Sequence, residues 1–425
     1  MPRRATVGAL ARVVCAVVAY AAADPTRAAA TDPTSGAATV DVEPLRLLAR
    51  DLTTVYYIGD LHGDATCARK WAEKTGLVKI EGDEVAWTGP QDAALVFMGD
   101  YVDKGIDSRG VLEFVRRLTD AFPNNVAAIL GNHDLFMLLD ATLDPADESR
   151  PMRGPVAAYP YSFFHPEEFV EAGFSPERLN DRAILSALLG ALGDVYEARA
   201  TRRVVVPTAF APVPDSRGRR SLWEAFEPAD AKRIRARLET WQVEYAKGLE
   251  ETGLVDFLRA RPLVAVVGDA LVVHGGLPPE FVDAELTARV VQATERPWGN
   301  LTSATQRLAA TVTQDRSFHR GGGCRLVREV LERTGLGRIV VGHTPGDDVR
   351  TSCGGALVAA DSSLSRPFRA NGNYYCGVRA AGSPDSCEAT VDACEGSIAR
   401  LARSDAADAW PANVDALPMR GRPRR

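Results

Sequence analysis

Five short phrases hold most of the residues in this sequence that could do chemistry. They are Gly59-Asp60-Leu61-His62-Gly63-Asp64, Gly99-Asp100-Tyr101-Val102-Asp103-Lys104-Gly105, Gly131-Asn132-His133-Asp134, Val272-Val273-His274-Gly275-Gly276 and Val341-Gly342-His343-Thr344. The chain has 6 histidines, and all but His165 and His319 lie in these phrases. Carboxylate, amide oxygen and imidazole together suit divalent Mn, Fe or Zn better than Ca or Mg. One carboxylate can bridge two such ions about 3.5–4 Å apart, which is a clamp for in-line displacement at phosphorus. That chemistry needs a water deprotonated near neutral pH, neutralised phosphoryl oxygens and a proton for the leaving oxygen. A lone Asp after a strand is commonly a cap or turn former. A lone buried His is commonly a hydrogen-bonded core residue. Those explanations would have to hold separately for each phrase, and a shared metal site accounts for all of them at once.

The elements around the phrases explain how they would meet. Val55 to Ile58, Ala94 to Met98, Val126 to Leu130, Val264 to Val267, Leu271 to Val273, Arg338 to Val341 and Ala356 to Ala360 are short apolar runs. Continuous runs of this kind suit strands buried on both faces. Helical patterns lie between them, as at Ser108 to Ala121 and Gly323 to Arg333. Strands alternating with helices predict an α/β architecture. Ligands in open α/β sheets sit beyond the carboxyl ends of the strands, so the phrases should converge on one place.

The rest of the chain sets the frame. With 425 residues, 46% hydrophobic and 25% charged, it reads as a globular protein. A net charge of −6 gives no footprint for nucleic acid. Arg3 and Arg4 precede an apolar stretch from Val13 to Ala23 that is too short for a stable membrane span. Residues 1–23 are therefore expected to be a signal peptide, with an organellar transit peptide as the alternative. Residues 24–48 are expected to be a flexible linker. A domain at 49–380 would carry an insertion at about 135–262, in which Tyr159, Tyr161, Phe163 and Phe164 fit packing better than substrate contact. A cysteine-containing tail would occupy 381–425. After Cys15, six cysteines remain: Cys67, Cys324, Cys353, Cys376, Cys387 and Cys394. No CxxC pair occurs, so a disulfide framework and an oxidising, secretory or extracellular location are expected. Cys67, three residues past the first phrase, is either a free thiol near the site or a buried helix cysteine. Asn300-Leu301-Thr302 is a glycosylation sequon.

The phrases resemble those of the calcineurin-like metallophosphoesterase superfamily, in its phosphoprotein phosphatase branch, whose pattern is GDxHG, GDxVDRG, GNHE, HGG and a later His. The resemblance covers roughly residues 50 to 370. Within the branch the sequence is most similar to the Shewanella-like protein phosphatases, through Val267-Gly268-Asp269, Cys324, the VVGHTP phrase and Cys353, and through the lack of a SAPNY phrase near Ala360 to Ser365. It implies a central β-sandwich flanked by helices, with a dinuclear metal site at the strand ends. Asp60, His62 and Asp100 would hold one ion. Asp100 would bridge, and Asn132, His274 and His343 would complete the second. Mn would serve in vitro, with Fe/Zn or Fe/Mn as other pairs. His133 would protonate the leaving oxygen, kept proton-loaded and oriented by the Asp103 carboxylate. Asn132, Lys104 and Arg320 would bind the phosphate, with Arg316 as a second candidate.

The sequence departs from the pattern at two positions. Lys104 stands where the family usually has Arg, giving a point charge in place of a bidentate fork. Asp134 replaces Glu. The activity implied is hydrolysis of phospho-Ser/Thr or phospho-Tyr in a protein or peptide by a metal-bound hydroxide. A dinucleoside polyphosphatase of the same fold is the alternative, although those enzymes usually lack an Asp at position 103. An inactive binding module would need a missing ligand, and none is missing.

Overall fold

The computed structural model describes residues 39–49, 51–105, 107–141, 247–296, 300–366, 394–403 and 413–419, with residues 227–230 and three isolated neighbours. The leader at 1–23, most of the insertion with its aromatic residues, and Cys376 and Cys387 lie outside the described residues.

Two five-stranded sheets face each other. In chain order the strands are β1 (Thr54–Ile58), β2 (Val78–Glu81), β3 (Glu84–Trp87), β4 (Ala93–Phe97), β5 (Val126–Ala128), β6 (Val264–Val267), β7 (Ala270–Val273), β8 (Arg338–Val341), β9 (Arg350–Ser352), β10 (Leu357–Ala359), β11 (Ser397–Ala402) and β12 (Asn413–Pro418). The sheets run β12-β11-β1-β4-β5 and β6-β7-β8-β10-β9, and β2-β3 is a separate hairpin. Strands β1, β4 and β5 are parallel, as are β7, β8 and β10. Their carboxyl ends therefore share one rim in each sheet.

Strand periodicity explains the layers, because alternate side chains point to opposite faces. Val55, Tyr57, Ala94, Val96 and Ala127 from the first sheet meet Val267, Val272, Val340 and Val358 from the second in one cluster. The intervening Ile58, Leu95, Phe97, Leu271, Ile339 and Val341 belong to a second cluster, under the helices. Both faces are dry, so each central strand reads as an unbroken apolar run. The helices are α1 (Ala65–Lys74), α2 (Ser108–Ala121), α3 (Asn132–Ala141), α4 (Leu254–Arg259), α5 (Leu286–Glu295), α6 (Ser303–Gln314) and α7 (Gly323–Thr334). Asp64 caps α1 through the Cys67 N–H, and Asp107 caps α2 through the Gly110 N–H. Each cap satisfies a first-turn donor.

One sequence expectation needs correction. Residues 39–48 do not behave as a linker: Val42, Leu45 and Leu48 are buried, and the Leu47 N–H bonds Val266 O. Part of the cysteine-containing tail is built into the first sheet, since β11 pairs antiparallel with β1 and with β12. Ser397, Ile398, Ala399 and Leu401 are buried, and the small Ser397 and Ala399 weaken the strand signal in sequence. The ends of the insertion, at Leu135 to Leu138 and Leu254 to Leu258, also pack into the core.

The cysteines form disulfides Cys67–Cys394 and Cys324–Cys353. Cys67 is buried in α1 and joined across 327 residues of sequence, so it is not a free thiol.

Candidate metal centre

Each phrase lies just past a strand end. Asp60 and His62 follow β1, Asp100 and Asp103 follow β4, and Asn132 and His133 open α3 after β5. His274 follows β7 and His343 follows β8. The rims pack so closely that side chains are excluded at some positions. A Cβ on Gly131 would lie 2.2 Å from the Asp100 amide nitrogen, and one on Gly342 would lie 2.8 Å from Asp60 Oδ1.

The backbone here is unusual. Among described non-glycine residues, His62, Asp100, Asp103, Lys104 and His343 have φ between 40° and 82°. Left-handed conformations cost energy for such residues and tend to gather at functional sites. They turn successive side chains of one loop toward a common centre.

Two groups of ligand atoms result, each within 4.8 Å: Asp100 with His62 and His133, and Asp100 with His274 and His343. Asp100 belongs to both. Its Oδ2 lies 3.7 Å from His62 Nε2 and its Oδ1 3.3 Å from His274 Nε2. Asp60 Oδ2 is 4.0 Å from His62 Nε2, and its Oδ1 accepts from the His343 N–H at 3.2 Å. Asn132 Oδ1 is 3.1 Å from His274 Nε2.

The donor set fits divalent cations. His62 Nδ1 is 3.2 Å from Val102 O and His274 Nδ1 is 2.6 Å from Met98 O. With those nitrogens donating, both Nε2 lone pairs face the carboxylates, which is the arrangement of metal-ligating histidines. Charge agrees. Asp60, Asp100, Asp103 and Asp361 are all buried, and Lys104 is the buried lysine among them. Burial, then Asp361, push the Asp60 carboxyl well above its ordinary range. Burial opposes ionisation of Asp100, yet His274, His133 and His62 hold it well below. Burial and the Lys104 ammonium bring His62 down to about 3. Burial lowers His274 too, but Asp100 and Asp60 outweigh it and carry it up to about 10. An excess of buried carboxylate over protein cation is the condition that divalent ions relieve.

His133 is paired with a carboxylate beside the cluster. Its Nδ1 sits 2.6 Å from Asp103 Oδ2, and its backbone N–H bonds Asp100 Oδ1 at 2.9 Å. This leaves Nε2 as the atom to meet a substrate. The expected proton-loading meets opposition, because burial and then Lys104 push His133 well below its ordinary value. Asp103 thus fixes the ring's direction more surely than its charge.

The phosphate candidates fare unequally. Lys104 is buried, with Nζ 3.4 Å from His62 Nε2, inside the cluster and not on its rim. Arg316 reaches the site, donating to His343 O at 3.2 Å. Arg320 does not; it lines a hollow with His319 and Arg350.

Three contributors were not assigned from sequence. Asp134 accepts the backbone N–H groups of Asp100, Tyr101 and Gly131 at 2.8, 2.9 and 2.9 Å, bracing the Asp100 turn. Burial and Asp100 carry its carboxyl up to about 7. Asp361 stands at the end of β10, buried, and presses electrostatically on Asp60. Its signal was the same as the others, an Asp closing an apolar run. Arg366 clamps Asp64 through Nε and a terminal nitrogen at 2.8 and 2.7 Å.

Residues 53–173 match the family described as Calcineurin-like phosphoesterase, so the chain carries a domain of that kind. It is 38% identical over 88 residues to "Bis(5'-nucleosyl)-tetraphosphatase, symmetrical" of Nitrosospira multiformis, covering 20% of this chain and 26% of that protein. It is 26% identical over 126 residues to the "Zinc-dependent endopolyphosphatase" of Saccharomyces cerevisiae, covering 29% and 34%. The chain thus spans about a quarter to a third of the curated relatives it matches. Among solved structures it is similar to the cold-active protein-tyrosine phosphatase of a psychrophile Shewanella species, at 16% identity and a TM-score of 0.45, covering 90% of this chain and 84% of that one.

Proposed function

We propose that this protein is a metal-dependent phosphoprotein phosphatase that hydrolyses phosphate monoesters. The single observation that carries the reading is Asp100 shared by two histidine-bearing groups, beside the His133–Asp103 pair. Asp60, His62 and Asp100 would hold one ion, and Asn132, His274, His343 and Asp100 the other. Bound divalent ions supply Lewis acidity, which acidifies water and neutralises phosphoryl oxygens. Water attacks phosphorus, the ester P–O bond breaks, and the leaving oxygen takes its proton from His133 Nε2. Asp103 holds the ring for that transfer. Asn132 and Arg316 face the phosphate. Lys104 lies beneath it, so its charge acts through the cluster and not as a direct fork.

A second reading, hydrolysis of a dinucleoside polyphosphate, is favoured by Lys104, by Asp134 and by the likeness to the Nitrosospira protein. Asp103 at 2.6 Å from His133 favours the monoester reading. The two disulfides support an oxidising, secretory or extracellular location. Among the described residues no helix is long and apolar enough to cross a membrane.

The test is turnover with added Mn²⁺ of phosphoserine, phosphothreonine and phosphotyrosine peptides against a dinucleoside tetraphosphate. Preference for a phosphopeptide is expected. Preference for the dinucleotide would move the protein to the polyphosphatases. No turnover with metal bound would sink both.

A further inference from the structure

Beside the metal centre lies a second concavity of about 360 Å³, whose walls include His319, Arg320, Arg350, Ser352 and the head of α7. Its charge is one-sided. Among the described residues, Arg316, Arg320 and Arg350 have no carboxylate partner within ion-pair distance, whereas Arg400 pairs with Asp415. Guanidiniums without a carboxylate partner, Arg320 and Arg350 lining the hollow and Arg316 nearby, make a recognition surface for phosphate or carboxylate oxygens. His319 Nε2 is buried there without a hydrogen-bond partner among the described residues. Burial, Arg350 and Arg316 lower the His319 pKa, so the ring adds a polar contact without needing a charge. Gly322, with φ 85°, precedes α7 and offers no side-chain cap to its first turn. Disulfide Cys324–Cys353 ties the head of α7 to the end of β9, which holds the two walls together.

The concavity adjoins the metal ligands. Arg316 donates to His343 O, and Arg350 donates to Thr344 O, the next carbonyl along the chain. Arg350, which lines the hollow, therefore also contacts the loop that carries His343, so the hollow borders the place where a scissile phosphate would sit. We propose that the hollow binds a second phosphate or carboxylate on the same phosphopeptide, with Arg350 and Arg320 as its grips. This inference rests on the phosphatase reading and deepens it: the preferred substrate is multiply phosphorylated, or acidic beside the scissile phosphate.

The experiment compares a singly phosphorylated peptide with the same peptide carrying a second phosphate, by kcat/KM and by fluorescence-anisotropy binding to the Mn²⁺-loaded chain. The second phosphate should improve both by about tenfold, the worth of one charge-assisted bond. Arg350→Ala should bring both ratios close to one. Ser352→Asp, which leaves the Arg350–Thr344 contact in place, should do the same by repulsion. Equal ratios for the two peptides in the wild type, or ratios that survive both substitutions, would overturn the proposal. p-Nitrophenyl phosphate reads the chemistry separately. If it and every peptide are left intact, the phosphatase reading fails while the binding ratio still decides the subsite. If a dinucleoside tetraphosphate shows the Arg350-dependent gain and the peptides do not, the hollow serves a phosphate chain and the peptide assignment is wrong.

Discussion

The two sheets contribute unlike halves to one site. Three strand ends of the first sheet supply Asp60, His62, Asp100, Asp103, Asn132 and His133, from loops in which His62, Asp100, Asp103 and Lys104 hold positive φ. The second sheet supplies one side chain per strand end, His274, His343 and Asp361, and among these only His343 has positive φ. The first half therefore holds the His133–Asp103 pair and most of the carboxylate charge. The second half closes the shell with imidazole. Asp100 stands at the seam, with one oxygen toward His62 and the other toward His274. The halves differ in chemistry and are joined by this one residue.

The largest effect should come from breaking that seam. Asp100→Asn should lower metal content in both groups and take turnover to background. Full turnover with undiminished metal would show that Asp100 does not bridge. His343→Ala sharpens the contrast, because it should release metal from one group only. His133→Ala comes next: metal retained, and the rate down about 10²–10⁴-fold for a poor leaving group. Loss of metal in that variant, measured by elemental analysis, would make His133 a ligand, as its place within 4.8 Å of the first group permits.

The same asymmetry governs what the sequence reveals. First-sheet residues come in runs such as Asp60-Leu61-His62 and Asn132-His133, where the spacing itself carries information. His274 and His343 were still readable, because an apolar strand and a glycine frame each one. Asp361 closes an apolar run like the others, but it lies outside the five phrases, beside Ser362 and Ser363, and drew no assignment. Arg316 and Arg320 lie 4 residues apart on an irregular stretch, and only three-dimensional packing decides which one meets His343. β11 was illegible for another reason. Ser397, Ala399 and Ala402 carry little hydrophobic signal, and their strand is specified by the partner β1 and by the Cys67–Cys394 link. Non-local pairing of this kind leaves almost no trace in a local window.

That link is the next place to strain the first half of the site. Cys394→Ser removes a crosslink spanning 327 residues between α1 and the lead into β11. The expected loss is about 2–5 kcal/mol of stability, read as a lower denaturant midpoint. The wild type under reductant should approach the same midpoint. An unchanged midpoint would mean that the β1–β11 pairing and its buried Ile398 and Leu401 hold the edge by themselves.

A smaller effect should separate support from chemistry within the same half. Arg366 holds Asp64 with two side-chain bonds and its own backbone N–H at 3.0 Å, while Ser365 Oγ donates to His62 O at 3.3 Å. Asp64 is 2% exposed and its other task is to cap α1. Arg366→Ala leaves that cap intact but strips the carboxylate of its cation, at a cost of about 1.5–3 kcal/mol. Because the loop after β10 also carries Asp361, loosening it should weaken metal affinity at the His62 group more than at the His274 group. Arg366→Lys restores the charge without the fork, so it should recover only part of the stability. Equal metal loss from both groups in Arg366→Ala would mean that the clamp serves the whole rim, and the division between the two sheets would not extend to their supporting residues.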